Sequence, residues 1–182
     1  MNKAVIGIVQ TLPDAESLVS ELKSVGFSTQ DISVLFPNKT GTKDFAHVHN
    51  TKAPEGAVTG ASAGGLMGGT IGLLAGIGAL AIPGLGPFIA AGPLMAALSG
   101  AAAGATLGGV TGALVGLGIP EMEAKLYEGK IRGGNILVAV HTGDSEMRKR
   151  AEQILKTHGA ADVSTMNETS VPKDRASAPA RS

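Results

Sequence analysis

Apolar positions in the first part of the chain change period twice. Ala4 to Val9 is a continuous apolar run and reads as a strand. Ala15, Leu18, Val19, Leu22 and Val25 then recur at helical spacing. Thr11 and Asp14 offer a capping-box-like start with Pro13 in the first turn, and Gly26 offers a left-handed stop. Ile32 to Phe36 reads as a second strand, closed by Pro37-Asn38. The stretch from Lys39 to Pro54 is polar and irregular. The far end of the chain repeats the theme. Glu121 to Arg132 has acidic residues at its start, a Glu121–Lys125 pair at i,i+4 and a Gly133-Gly134 break, all of which favour a short helix. Ile136 to Val140 is a strand, Thr142 or Asp144 caps a helix striped by Met147, Ala151, Ile154 and Leu155, and Gly159 stops it. Ala161 to Met166 is a last strand, after which a Ser/Pro/Ala-rich stretch reads as a disordered tail.

The two ends form a weak internal repeat. Asp31-Ile32-Ser33 and Asp162-Val163-Ser164 lie the same distance apart along the chain as Thr11 and Thr142, each of which follows a strand. Two such halves predict an α+β fold, a split βαβ ferredoxin-like sandwich with one antiparallel sheet covered on one face by two helices. Residues 1–55 and 119–166 are then two halves of one domain, 56–118 an insertion, and 167–182 the tail. Ile6, Leu18, Leu22, Ile32, Val34, Leu137, Val138 and Leu155 should share the interior. On this reading a short Gly/Ser linker could replace 56–118 without loss of the fold.

The insertion is set apart by what it lacks. Gly56 to Pro120 contains no Asp, Glu, Lys or Arg. Gly56, Gly60, Gly64, Gly68, Gly72 and Gly76 recur every fourth residue. After Pro83, Gly84, Leu85, Gly86 and Pro87, the spacing resumes with Gly100, Gly104, Gly108, Gly112 and Gly116. On a helix, that spacing lays small residues along one stripe where a second helix can approach closely. The expectation is a glycine-zipper hairpin of two helices, about Ala61–Ile82 and Phe88–Gly118, turning at Pro83, Gly84, Gly86 and Pro87. A bilayer suits it, because each helical Gly costs roughly 1 kcal/mol in water and Leu66, Ile71, Leu74 and Leu80 offer a lipid-facing surface. A helical hairpin buried in a soluble or reversibly inserting assembly, or flexible low-complexity sequence, would also be charge-free. Two crossings put both flanks on one side, and Lys39, Lys43, Lys52, Lys125, Lys130 and Arg132 favour the cytoplasmic side.

Composition removes several function classes. Fifteen basic residues balance fifteen acidic ones, so no positive field gathers nucleic acid. No cysteine is present, which excludes thiol catalysis, disulfides and thiolate metal sites. The opening residues make no convincing secretory signal. His47 and His49 lie close together but lack supporting ligands, and His141 with Thr142 and Asp144 reads as a strand end and helix cap rather than a triad. No phosphate-binding loop occurs. No catalytic, cofactor-binding or metal-binding residue is expected.

Gly26-Phe27 followed by Asp31-Ile32-Ser33-Val34-Leu35 resembles the bacterial general stress protein 17M-like, or heat-induced stress protein, domain. Thr51–Gly56, Gly76–Gly84 and Gly116–Glu121 resemble motifs of bacterial glycine-zipper proteins that carry that domain. The resemblance covers roughly residues 3–165 and implies a stress-associated bacterial protein with no catalytic residues to carry over. Some relatives on that reading are labelled subunits of quinol-linked electron-transfer assemblies, although this chain has no haem or iron–sulfur ligand pattern. The resulting expectation is a non-enzymatic bacterial membrane protein with both α/β halves cytoplasmic. A lipid bilayer, other copies of itself and a protein partner would be its contacts, with no nucleic acid and no cofactor. The alternatives are an accessory electron-transfer or small-molecule-binding subunit, and a soluble homo-oligomeric structural protein.

Overall fold

A computed structural model describes residues 3–37, 71, 74, 78–82, 86–101 and 109–167. Both flanks fold as their periodicity predicts. Strand β1 is Lys3–Val9, helix α1 is Leu12–Ser24, and strand β2 is Ile32–Pro37. The Thr11 side chain accepts the Asp14 N–H at the start of α1, and Gly26 takes a positive φ just after its end. In the second flank, helix α4 spans Glu121–Arg132, β5 spans Ile136–Thr142, α5 spans Ser145–Thr157 and β6 spans Ala161–Asn167. Asp144 rather than Thr142 caps α5, taking the N–H groups of Glu146 and Met147. Thr142 instead accepts the N–H of Asp144.

The insertion departs from its expected form. Gly78–Ile82 is strand β3 and Gly86–Ala91 is strand β4, paired antiparallel with Ile82 opposite Gly86. The predicted turn therefore joins two strands, not two helices. Gly86 and Pro87 belong to β4 itself, whereas Pro83 and Gly84 lie outside the described residues. What was expected as one long helix over Phe88–Gly118 is β4 followed by α2, Pro93–Ala101, and α3, Gly109–Gly116. Among the described residues, no helix is long and apolar enough to cross a membrane. A crossing over Ala61–Ile82 is likewise interrupted, because its last five residues are β3 and its Ile71 and Leu74 are buried against the protein's own core. The physical reason is edge pairing: β4 binds β2 and β3 binds β4, so the backbone of the insertion satisfies its hydrogen bonds in the sheet.

The six strands stand in the order β3-β4-β2-β5-β1-β6, and every neighbouring pair is antiparallel. β1 pairs with β5 and β5 with β2, so the two flanks share one sheet. Both of its faces are covered, which corrects the expected two-layer sandwich. One face holds Val5, Val9, Ile32, Val34, Ile136, Val138 and Val140 against Leu18 and Leu22 of α1 and Ile154 and Leu155 of α5. The other holds Ile6, Ile8, Leu35, Leu137 and Ala139 against Leu94 and Leu98 of α2, Leu114 of α3, and Tyr127 and Ile131 of α4. The interior expected from the sequence is thus split by the strand pleat. Leu18, Leu22, Ile32, Val34, Val138 and Leu155 meet on the first face, while Ile6 and Leu137 point to the second.

Candidate functional site

Two buried polar side chains interrupt the apolar second face. Ser33 of β2 is fully buried and His141 of β5 nearly so. Antiparallel pairing of β2 with β5 brings these strands side by side, and Ser33 Oγ lies 2.8 Å from His141 Nε2. A third group comes from the insertion. Gly92 and Pro93 lead into α2, and the Leu94 N–H donates to Ser33 Oγ at 3.1 Å. An N–H in the first turn of a helix has no partner within that helix, so the serine hydroxyl caps α2 from another element. The approach is close enough to require glycine. At Gly92, where φ is +72°, an added Cβ would sit 2.2 Å from the Ile32 carbonyl oxygen and 2.8 Å from Ser33 Oγ. The His141 backbone N–H donates to the Asp31 carbonyl at 2.8 Å, fixing the start of β2 beside the end of β5.

By residue type this is a nucleophile, a base and a helix-terminal N–H, the parts from which acyl-transfer sites are built. The geometry uses them differently. Ser33 has no solvent-exposed surface, and its hydroxyl is held by both His141 and the Leu94 N–H. The neighbouring cavity, lined by His141 and apolar side chains including Ile6, Leu94, Leu114, Leu137 and Met166, has a volume of about 10 Å³. That is about the room one water needs, far from a substrate. The cluster acts as a polar rivet joining β2, β5 and α2. No buried side-chain polar atom among the described residues lacks a partner.

A second polar set fastens α3 and β6 to α4. Glu128 accepts the N–H and hydroxyl of Thr111 in the first turn of α3 and is also bridged by Arg132. Partial burial pushes its carboxyl upward, but the Thr111 bonds and the Arg132 charge outweigh this and hold it below the usual range. The Tyr127 hydroxyl donates to the Asp162 carbonyl at 2.9 Å. Burial, together with the charges of Glu123 and Asp162, pushes the Tyr127 phenol up to about 12. Lys130 pairs with the Asp162 carboxylate, and Asp162 itself adopts φ +50°.

Three of the sequence-expected packing glycines fall among the described residues. Gly100 lies in α2, and Gly112 and Gly116 lie in α3. At Gly116 an added Cβ would meet nothing within 4 Å, so that position is open rather than a close helix contact. Gly56, Gly60, Gly64, Gly68, Gly72, Gly76, Gly104 and Gly108 lie outside the described residues, as do His47 and His49. Thr142 and Asp144 turn into the α5 cap, so His141 has no triad with them. Among the described residues no three His, Asp or Glu side chains cluster to hold a metal ion. Ser33 and His141 were the pair that sequence reading did not join. The available signal was a lone serine and a lone histidine in otherwise apolar strands.

No family model, no curated protein and no solved structure matches the chain.

Proposed function

We propose that this chain is a non-enzymatic, self-associating structural protein built on a ferredoxin-like split βαβ core. The strand order β6-β1-β5-β2, all antiparallel, with α1 and α5 on one face, supports the ferredoxin-like reading. In this reading the uncharged insertion extends the sheet by a hairpin and adds the second covering layer. The motif resemblance supplies a stress-associated bacterial setting. Contact with the cytoplasmic face of a membrane falls, on this reading, to the uncharged insertion.

The observation that carries the non-enzymatic reading is the enclosure of Ser33: the Ser33–His141 pair is sealed and already hydrogen-bonded. A serine-directed fluorophosphonate tests it on the native full-length chain, with adducts located by mass spectrometry. The expected result is no adduct at Ser33. Stoichiometric labelling of Ser33 that disappears in His141→Ala would overturn the reading and make the pair a working nucleophile and base.

A further inference from the structure

Among the described residues only two large apolar side chains are exposed, Met122 at 81% and Leu126 at 47%. Both stand on α4, four residues apart and therefore on one stripe. They face away from Ala124, Tyr127 and Ile131, which α4 buries against the second face of the sheet. Gly129 continues the stripe on the next turn, and a Cβ there would meet nothing within 4 Å. A helix-interior glycine costs roughly 1 kcal/mol relative to alanine, and no close contact within this chain uses its small size. Two apolar knobs beside an open notch fit another helix.

The charges beside the stripe indicate which helix. One flank of α4 reads Glu121, Lys125, Glu128 and Arg132, alternating in sign, and the other carries Glu123 and Lys130. We infer that α4 pairs with α4 of a second copy of this chain, antiparallel about a two-fold axis near Leu126. In that arrangement Leu126 packs against the partner's Gly129. Glu121 faces the partner's Arg132, Lys125 faces the partner's Glu128, and Glu123 faces the partner's Lys130. A parallel pairing would instead set Glu121 beside the partner's Glu123 and Arg132 beside the partner's Lys130, offsetting its opposite-charge contacts, so the pattern favours the antiparallel one. Opposed helix dipoles add in the same direction. Within one chain Lys125 pairs with Glu121, Arg132 with Glu128 and Lys130 with Asp162. The cross-copy pairs therefore share partners and set orientation more than affinity. A bilayer is the poorer occupant, since the acidic and basic residues around the stripe balance and draw the helix to no anionic surface. One helix pair buries little area, placing the dimer at the weak, concentration-dependent end of stable interfaces.

This contact rests on the self-association reading above and can fail separately from it. The chain has no cysteine, so a single introduced thiol reports position cleanly. Under mild oxidation Leu126→Cys in the full-length chain should form a disulfide-linked dimer. Met122→Cys should not, because its twin lies about nine residues along the antiparallel helix, roughly 13 Å away at 1.5 Å per residue. A disulfide needs Cα atoms within about 7 Å. Met122→Glu with Leu126→Glu should weaken the dimer at least tenfold by sedimentation velocity while leaving the thermal transition unchanged. Equal crosslinking at both positions, or an oligomer that persists with no Leu126→Cys crosslink, would overturn this contact and leave self-association standing. A wild-type chain that stays monomeric at all concentrations would overturn both. Binding to neutral or anionic lipid vesicles that is lost in the double variant, with no dimer formed, would overturn the pairing in favour of a lipid surface.

Discussion

The sheet is covered twice, by two kinds of helix. On its first face, α1 and α5 are amphipathic in the ordinary way, with Leu18, Leu22, Ile154 and Leu155 inward and charged residues such as Glu16, Lys23, Lys149 and Lys156 along the rest. On its second face, α2 and α3 carry no charge at all, and only α4 restores a charged exterior. α3 packs between α2 and α4 and reaches the sheet through Leu114. A short helix wedged between neighbours has little wet surface to furnish with charge. Its glycines and alanines expose little apolar area where it does reach water. An uncharged helix therefore marks a helix with neighbours, and lipid is one such neighbour among several.

The largest test of this comparison removes the second cover. Replacing residues 56–118 by a short Gly/Ser linker deletes β3, β4, α2 and α3, leaving Ile6, Ile8, Leu35 and Leu137 without Phe88, Leu94, Leu98 and Leu114 and with only α4 to cover them. Each large side chain left bare forfeits about 1.5–3 kcal/mol, and a domain has only about 5–15 kcal/mol in all. The expected outcome is loss of the cooperative thermal transition by circular dichroism, the reverse of what the repeat alone predicts. A sharp two-state transition would mean that the second cover is dispensable.

Truncating one leucine under each cover is a finer comparison. Leu22 of α1 and Leu114 of α3 are both fully buried. Leu22→Ala and Leu114→Ala should each cost about 2–5 kcal/mol in urea unfolding. A loss under about 1 kcal/mol for Leu114→Ala alone would show a loosely seated second layer.

Glycine 92 sharpens the point at which that layer is attached. Gly92→Ala forces a positive φ on alanine and drives its Cβ into the Ile32 carbonyl oxygen. Gly26 also has a positive φ, at +105°, but open space around it. Gly26→Ala should cost about 1–2 kcal/mol for the backbone conformation alone. Gly92→Ala should lose more, by about 1–3 kcal/mol of added strain. Equal losses in chemical denaturation would show that the close approach of α2 to β2 contributes nothing.

The first cover was legible in the chain because its helices display stripes, caps and stops. Thr11 and Gly26 perform the roles their residue types suggest, and the repeat between the flanks foretold that β1, β2, β5 and β6 share a sheet. The second cover was harder to read for a specific physical reason. A glycine every fourth residue is commensurate with the helical turn, but four is also twice the strand period. The spacing also stops at Gly76 and resumes only at Gly100, so it carries no signal over β3 and β4 between them, and Pro83 to Pro87 can turn either element. One clue pointed the right way. Ala4 to Val9 and Ile136 to Val140 are unbroken apolar runs, and an unbroken run belongs to a strand covered on both faces. Ser33 and His141 stood out as polar interruptions, yet 108 residues separate them, and no local pattern spans such a gap. Leu94, which completes the cluster through its backbone N–H, had no side-chain signal to give.

The smallest effect separates the two covers by acid. Each is tied down by one carboxylate: Asp144 caps α5 on the first face, and Glu128 holds Thr111 of α3 on the second. The backbone N–H groups of Met147 and then Glu146 lower Asp144 below its ordinary 3.8. For Glu128, desolvation acts upward but loses to Thr111 and Arg132, leaving it below its ordinary 4.5. A group depressed in the folded state adds stability that is present above its unfolded value and lost as pH falls through its folded one. Acidification from about pH 5 downward should therefore weaken both covers progressively. Glu128→Gln keeps an acceptor for Thr111 but cannot titrate, so its unfolding free energy should fall less steeply over that range than the wild type's. Asp144→Asn should flatten the acid limb in the same way, acting on α5. Hydrogen exchange resolves the two, because protection should drop first in the helix whose carboxylate is intact. If Glu128→Gln leaves both the acid limb and the exchange of α3 unchanged, Glu128 does not fasten the second cover.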